Sequence, residues 1–476
     1  MTDSSAISKD TIKRFIERRL LFGQELSLEL TAILLVYFVQ GILGLARLAV
    51  SFFLKDDLGL TPAEVAALTG IASAPWTVKP LLGFVSDGFP IMRYRRRPYL
   101  ILSGLLGAAA WLAMATVVNT GWVAIATITL SSLSVAVSDV IVDSLVVERA
   151  RQESQSDAGS LQSLAWGSSA IGGIITAYLG GLLLQYVGTR YVFGVTATFP
   201  LIVSVVAWWI AEDPVTETST WKVIGGQLKQ LKAAVSQRAI WMPALFIFLW
   251  QATPTADSAF FFFTTNDLGF QPEFLGRVRL VTSIAALIGI GIFQRFLKAV
   301  PFRTIFAWST VLSTIFGFTM LLLVTHTNRT IGIGDEWFSL GDSLILTVMG
   351  EISFMPVLVL SARICPPGVE ATLFALLMSI LNLAGLLSHE FGALLTHWLG
   401  VTETDFDNLW LLVTLTNLST LLPLPLLFLL PRTSSQGEDA TGSGSSLPTG
   451  QAIALSPDGG SEKSVALPVG AVKSEP

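Results

Sequence analysis

Apolar residues in this chain follow neither the three-to-four-residue stripe of a surface helix nor the alternation of a half-buried strand. They come in runs of about 20, each long enough as a helix to cross the hydrocarbon core of a bilayer. Twelve such runs lie at roughly 28–53, 62–86, 98–118, 121–146, 158–186, 189–211, 240–265, 272–294, 301–324, 338–362, 369–398 and 408–431. Water is absent at that depth, so backbone groups must be satisfied within each run. The pattern predicts an all-α integral membrane protein with twelve transmembrane helices.

The polar intervals organise these runs. Residues 212–238, EDPVTETSTWKVIGGQLKQLKAAVSQR, form the one long polar interruption and divide the runs six and six. Residues 433–476 contain no Phe, Trp or Tyr and are rich in Ser, Gly and Pro, so they bury too little apolar surface to fold. The expected order is a cytoplasmic segment (1–27), a six-helix bundle (28–211), a cytoplasmic linker (212–238), a second six-helix bundle (239–432) and a disordered cytoplasmic tail (433–476).

The two bundles repeat one another. YFVQ at 37–40 matches FLWQ at 248–251, and FFLKDDLGLTP at 52–62 matches FFTTNDLGFQP at 262–272. Ala150-Arg151 lies 212 positions before Ala362-Arg363, and GGLLLQYVG at 180–188 lies 212 before GALLTHWLG at 392–400. Two separate stretches sharing one offset point to pseudo-symmetry. Parallel repeats of six spans are the plan of the major facilitator fold, where solute binds at the midplane between halves.

Composition agrees, with 52% hydrophobic and 13% charged residues and a mean hydropathy of +0.66. A single cysteine, Cys365, excludes an intramolecular disulfide. The placement of Lys and Arg matters more than the net charge of −5, and it is one-sided. If the N-terminus is cytoplasmic, 22 of the 29 basic residues fall on the inner side. Both termini are therefore expected in the cytoplasm. The first thirty residues lack the order of a signal peptide, so the cell inner membrane is the expected location.

One polar stretch stands out, KPLLGFVSDGFPIMRYRRRPYL at 79–100. Gly83-Phe-Val-Ser-Asp87 followed by Arg95-Arg96-Arg97 resembles the Gly-x-x-x-Asp…Arg-Arg loop of major facilitators. An acid at a helix end beside a basic cluster can hold one conformation and release another. Gly83, Asp87, Arg95, Arg96 and Arg97, with Glu148 and Arg151 after the fourth span, are the expected gating residues. The alternative is that these arginines only fix topology.

Charges at membrane depth cost from about 2.5 kcal/mol upward and so are expected to face a cavity or a partner. The repeat partner of Arg47 in the first span falls at Asp257 or Ser258 in the seventh; Arg47 and Asp257 would pair across the central cavity, hold opposite ends of a solute, or form a purely structural ion pair. Asp139 and Asp143 share one face of the fourth span, and Asp139 plus 212 is Glu351. Two carboxylates in a low dielectric suit a proton site, so these three are the proton-coupling candidates. For Asp143 the alternative is pairing with Arg149 or Arg151. Lys79 is the remaining basic candidate for an anion, unless it snorkels to the interface. Gln40, Trp166 with Gln162, and Asn382 are candidates to stack on or hydrogen-bond a ring, the alternative for Trp166 being packing within the bundle. Arg277 and Arg279 are expected near the outer surface. The three histidines receive no role.

No phosphate-binding loop or zinc helix occurs, and no nucleophile constellation supports an enzyme. No cofactor, metal or nucleic-acid partner is expected. Energy must come from an ion gradient or the solute's own gradient.

The chain resembles the folate-biopterin transporter family of the major facilitator superfamily. The resemblance rests on Tyr37 to Ala46, Pro75 to Pro80, Gly83 with Ser86-Asp87, Tyr94 to Arg97 with Tyr99-Leu100, Ser138 to Ser144, Glu148 to Arg151, and Met355-Pro356 through Cys365-Pro366. It covers about residues 28–431, and the compact termini look cyanobacterial. The resemblance implies transport of folates or pterins, with protons; a monomer in the lipid bilayer is the expected form. Two other readings stay open: a facilitator for another amphipathic organic anion, and a non-transporting receptor or scaffold.

Overall fold

A computed structural model describes residues 25–150, 155–214, 232, 236–297, 299–364 and 370–431, with some helix-end side chains left undescribed. Two contact units divide the chain, one reaching to Glu438 and holding every described helix, the other over 439–476 and outside the described residues. We number the helical stretches α1 (Leu28–Asp57), α2 (62–88), α3 (Arg97–Thr116), α4 (Gly121–Ala150), α5 (Gln155–Val187), α6 (Thr189–Trp209), α7 (238–267), α8 (Pro272–Leu297), α9 (Phe302–Val324), α10 (Asp335–Arg363), α11 (Glu370–Trp398) and α12 (Leu409–Leu429). Among the described residues ten of these are continuous and apolar enough to cross a membrane. Observed ends run beyond the expected ones by up to four residues in α1, α4 and α5, because helix continues into the polar flanks.

The other two, α2 and α7, are helical but broken, and proline explains both. In α2 the helix stops at Ala72, restarts as Ala74–Thr77 around Pro75, and restarts again at Lys79 with Pro80 in its first turn. A proline supplies no N–H to the turn behind it, so each one opens a helix rather than continuing it. In α7 the residues 252–256 around Pro254 separate Arg238–Gln251 from Asp257–Phe262.

The repeat is visible in detail. Phe53–Asp57 and Phe263–Asp267 both form a π turn, one residue wider than an α turn. Each is followed by a left-handed glycine, Gly59 at φ +62° and Gly269 at φ +68°, and then by a helix opening on proline. A Cβ on Gly180 would meet the Leu45 carbonyl of α1, and a Cβ on Gly392 the Thr255 carbonyl of α7. The same small-residue contact thus joins α5 to α1 and α11 to α7.

Successive helices alternate in direction, so loops after odd-numbered helices share one end of the molecule, here the odd-loop end. The halves meet closely there. A Cβ on Gly181 of α5 would lie 2.3 Å from the Pro272 carbonyl and 2.7 Å from Gly276 Cα of α8. Phe52 and Phe261 stack edge-to-face at 5.3 Å, Lys55 Nζ donates to Asn266 Oδ1 at 2.7 Å, and Tyr178 donates to Glu273 at 2.9 Å. Nearer the middle, Asn382 Nδ2 on α11 donates to the Trp76 carbonyl at 3.2 Å.

Candidate functional site

The breaks in α2 place its polar groups. Where the helix restarts at Lys79, the Trp76 carbonyl takes its hydrogen bond from Asn382 across the halves. Lys79 turns toward α4, where the four-residue spacing of Asp139 and Asp143 sets both carboxylates on one face. Lys79 Nζ reaches Asp143 Oδ2 at 2.9 Å, forms an ion pair with Asp139, and lies 5.7 Å from the centre of the Trp76 ring. From α1, the Tyr37 hydroxyl donates to Asp143 Oδ1 at 2.5 Å. One turn on, Gln40 lies beside Asp139 with its Nε2 buried.

The cluster holds one ammonium against two carboxylates. In low dielectric a lone pair of opposite charges is tolerated, and an extra negative charge is not. A proton on one carboxyl, or a solute rich in N–H groups, offsets that charge. Asp143 is the accessible member, its side chain 42% exposed against 12% for Asp139 and 19% for Lys79. An arriving ligand or proton therefore meets Asp143 first.

The basic loop before α3 is built differently from a bare charge cluster. Met92 (φ +51°) and Arg93 (φ +71°) turn the chain so that Ile91 and Tyr94 exchange two backbone bonds of 3.0 Å. Arg96 Nη1 donates to Asp87 Oδ1 at 2.7 Å, and the Tyr99 hydroxyl to the Phe89 carbonyl at 2.7 Å. Glu212, at the end of the sixth span, accepts from the backbone N–H groups of Arg95, Arg96 and Arg97 at 2.5, 2.9 and 2.9 Å. A carboxylate there satisfies donors that a helix N-terminus leaves open and suits its positive dipole end. Arg97 reaches the Ile210 carbonyl at 2.5 Å and lies over the rings of Tyr94 and Trp208. The Asp87–Arg96 pair and the Glu212 cap all belong to the first half. Gly83 faces α4, where a Cβ would meet Val140 at 3.5 Å.

Residues 40–448 match the BT1 family. The chain belongs to that family. It is 60% identical over 441 residues to the folate-biopterin transporter of Synechocystis, covering 93% of this chain and 89% of that protein. It is 34% identical over 403 residues to the probable folate-biopterin transporter 2 of Arabidopsis thaliana, covering 83% and 80%. Among solved structures, a mutant of the nucleoside transporter NupG superposes with a TM-score of 0.65 at 14% identity, over 84% of this chain and all of that one. This BT1-family protein therefore has the all-helical major facilitator fold and is a membrane transporter, not an enzyme.

Other residues singled out in the sequence are dispersed over this BT1-family transporter. Arg47 and Asp257 are both exposed and do not form a pair. Glu351 on α10 packs its Cβ against Gly289 of α8 and has no ionic partner among the described residues. Trp166 is 57% exposed on α5. Arg277 pairs with Glu273 at 2.8 Å, whereas Arg279 is half-buried. Arg151, Cys365 and the side chains of Glu148, Arg149 and Gln162 lie outside the described residues.

Sequence reasoning passed over Tyr37 and Glu212 as site residues, and also two acids of the second half. Asp342 on α10 is buried and accepts from the Thr319 hydroxyl, and Glu390 on α11 has a buried Oε1 without a partner among the described residues where Gly70 of α2 touches it. The signal for both was present: a carboxylate within an apolar run.

Proposed function

We propose that this transporter carries folates or pterins across the membrane together with protons, by alternating access of its two six-helix halves. The observation that supports this is the cluster of Tyr37, Lys79, Asp139 and Asp143, which holds two acids against one base at the junction of α1, α2 and α4. Asp139 and Asp143 exchange the proton, Lys79 keeps the pair compact, and Gln40 and Asn382 stand within the same layer for a ring bearing amino and N–H groups. Asp87 and Arg96 act as a latch at the even-loop end. Both termini are cytoplasmic, and the working unit is a monomer in the cell membrane. The names of its relatives support the choice of solute.

The test is uptake of labelled folate into vesicles containing the purified protein, with and without an imposed pH gradient. Wild-type uptake should rise with the gradient, and Asp139→Asn should lose the gradient-driven part by tenfold or more while remaining at normal abundance. Gradient-driven uptake at the wild-type rate in that variant removes Asp139 from coupling. Competition by unlabelled pterins and by unrelated anions separates a folate carrier from a general anion facilitator.

A further inference from the structure

Two arginines, one from each half, lie near one another, and neither forms an ion pair with a described residue. Arg47 follows the contact of Leu45 with Gly180, and Arg279 follows the contact of Gly276 with Gly181. Because Gly180 and Gly181 are neighbours on α5, these contacts set α1 and α8 against the same turn of α5, with Arg47 displaced toward the odd-loop end and Arg279 about two turns of side-chain reach away from it on the other helix. There they are close enough for their like charges to repel. Neither guanidinium has a hydrogen bond or ion pair to any described residue.

The acids of α8 and of the odd-loop end of α1 are already engaged. Glu273, the sole carboxylate of α8, is held by Arg277 at 2.8 Å and Tyr178 at 2.9 Å. On α1, Asp56 pairs with Lys55 at 2.5 Å, and Asp57 accepts from the Thr189 hydroxyl at 2.5 Å. Asp257 of α7 is exposed and forms no pair with Arg47. Arg279, half-buried and without an ionic partner among the described residues, carries a desolvation cost, and each guanidinium presents a planar fork suited to a carboxylate.

We infer that Arg47 and Arg279 form a binding site for a dicarboxylate, which takes the glutamyl tail of a folate while the acid cluster takes its ring. The inference rests on the folate reading of the transport site and adds the tail's anchor to it. Arg47 follows Gln40 by seven residues, two helical turns or roughly 10 Å along α1 across the bend at Leu43–Gly44. A solute with an N–H-rich ring at one end and two carboxylates at the other has polar groups to offer at both places. Because the arginines come from opposite halves, the bound dianion favours the state in which the halves meet at the odd-loop end.

The test measures equilibrium binding to the purified protein of three probes: folate, a pterin without carboxylates, and p-aminobenzoylglutamate, which has the tail without the ring. Arg47→Gln and Arg279→Gln are each expected to weaken folate at least tenfold, to abolish p-aminobenzoylglutamate binding, and to leave the pterin within twofold. Equal weakening of folate and pterin, or none of either, overturns the site. So does a wild-type protein that binds neither carboxylated probe. Arginine-dependent binding of p-aminobenzoylglutamate without folate binding supports the site and removes the folate reading instead. Should Arg279→Gln fail to fold, Arg47→Gln at its exposed position carries the comparison, with Arg279→Lys expected to bind folate more tightly than any glutamine variant.

Discussion

Replacing Gly181 with valine tests whether the odd-loop end opens and closes. Even a methyl group there would sit 2.3 Å from the Pro272 carbonyl and 2.7 Å from Gly276 Cα, where ordinary contact begins at 3.4 Å. Helices α5 and α8 must therefore part by about 1 Å, and backbone on both sides offers no flexible side chain to yield. Overpacking of this kind costs about 1–3 kcal/mol. That cost falls only on the state in which the halves touch. Taking about 2 kcal/mol, the closed population falls roughly 30-fold against the open one. Spin labels at Thr120→Cys and Thr404→Cys, on exposed odd-loop positions in opposite halves and in a Cys365→Ser background, should report a longer distance in Gly181→Val. Initial uptake should drop about tenfold or more, since a cycle that cannot close at one end cannot reset. Gly173→Ala on the same helix, where an added Cβ meets nothing within 4 Å, serves as the control and should transport normally. Wild-type distances and wild-type uptake in Gly181→Val would refute the reasoning.

Two further predictions concern the basic loop. Glu212→Ala leaves the N–H groups of Arg95, Arg96 and Arg97 without their acceptor; solvent recovers part of the loss, so about 2 kcal/mol of stability should go, read as a lower melting temperature in detergent, with Glu212→Gln intermediate. An unchanged melting temperature in Glu212→Ala contradicts the cap. The Asp87 side chain is 51% exposed, so its pair with Arg96 should be worth less than about 1 kcal/mol in stability. In a double-mutant cycle of Asp87→Asn and Arg96→Gln, uptake should be strongly coupled while melting temperatures stay close; additive losses of uptake would leave the pair without a latching role.

Much of the fold was legible because membrane spans are written in long apolar runs. The two broken helices were legible only in part, since Pro75, Pro80 and Pro254 sit inside windows whose mean hydropathy conceals them. Asp139 and Asp143 could be found because a charge in lipid stands out and a four-residue spacing fixes a shared face. Tyr37 could not, because a tyrosine in an apolar span differs little from the phenylalanines around it. Glu212 is more than a hundred positions from the arginines whose backbone it holds, and it opens a stretch that reads as a polar linker. The repeat matched Arg47 by sequence to Asp257, with which it forms no pair, and gave no sign of Arg279, which lies near it.

The paired π turns at Phe53–Asp57 and Phe263–Asp267 carry a consequence for the repeat. Such turns occupy well under 1% of residues in proteins. One at matching positions, each ahead of the same glycine and proline, makes the extra residue part of the unit that the two halves repeat. Any variant that loses it from one half alone must rotate the aromatic residues upstream by about a quarter of a turn, pulling Phe52 and Phe261 out of register with each other.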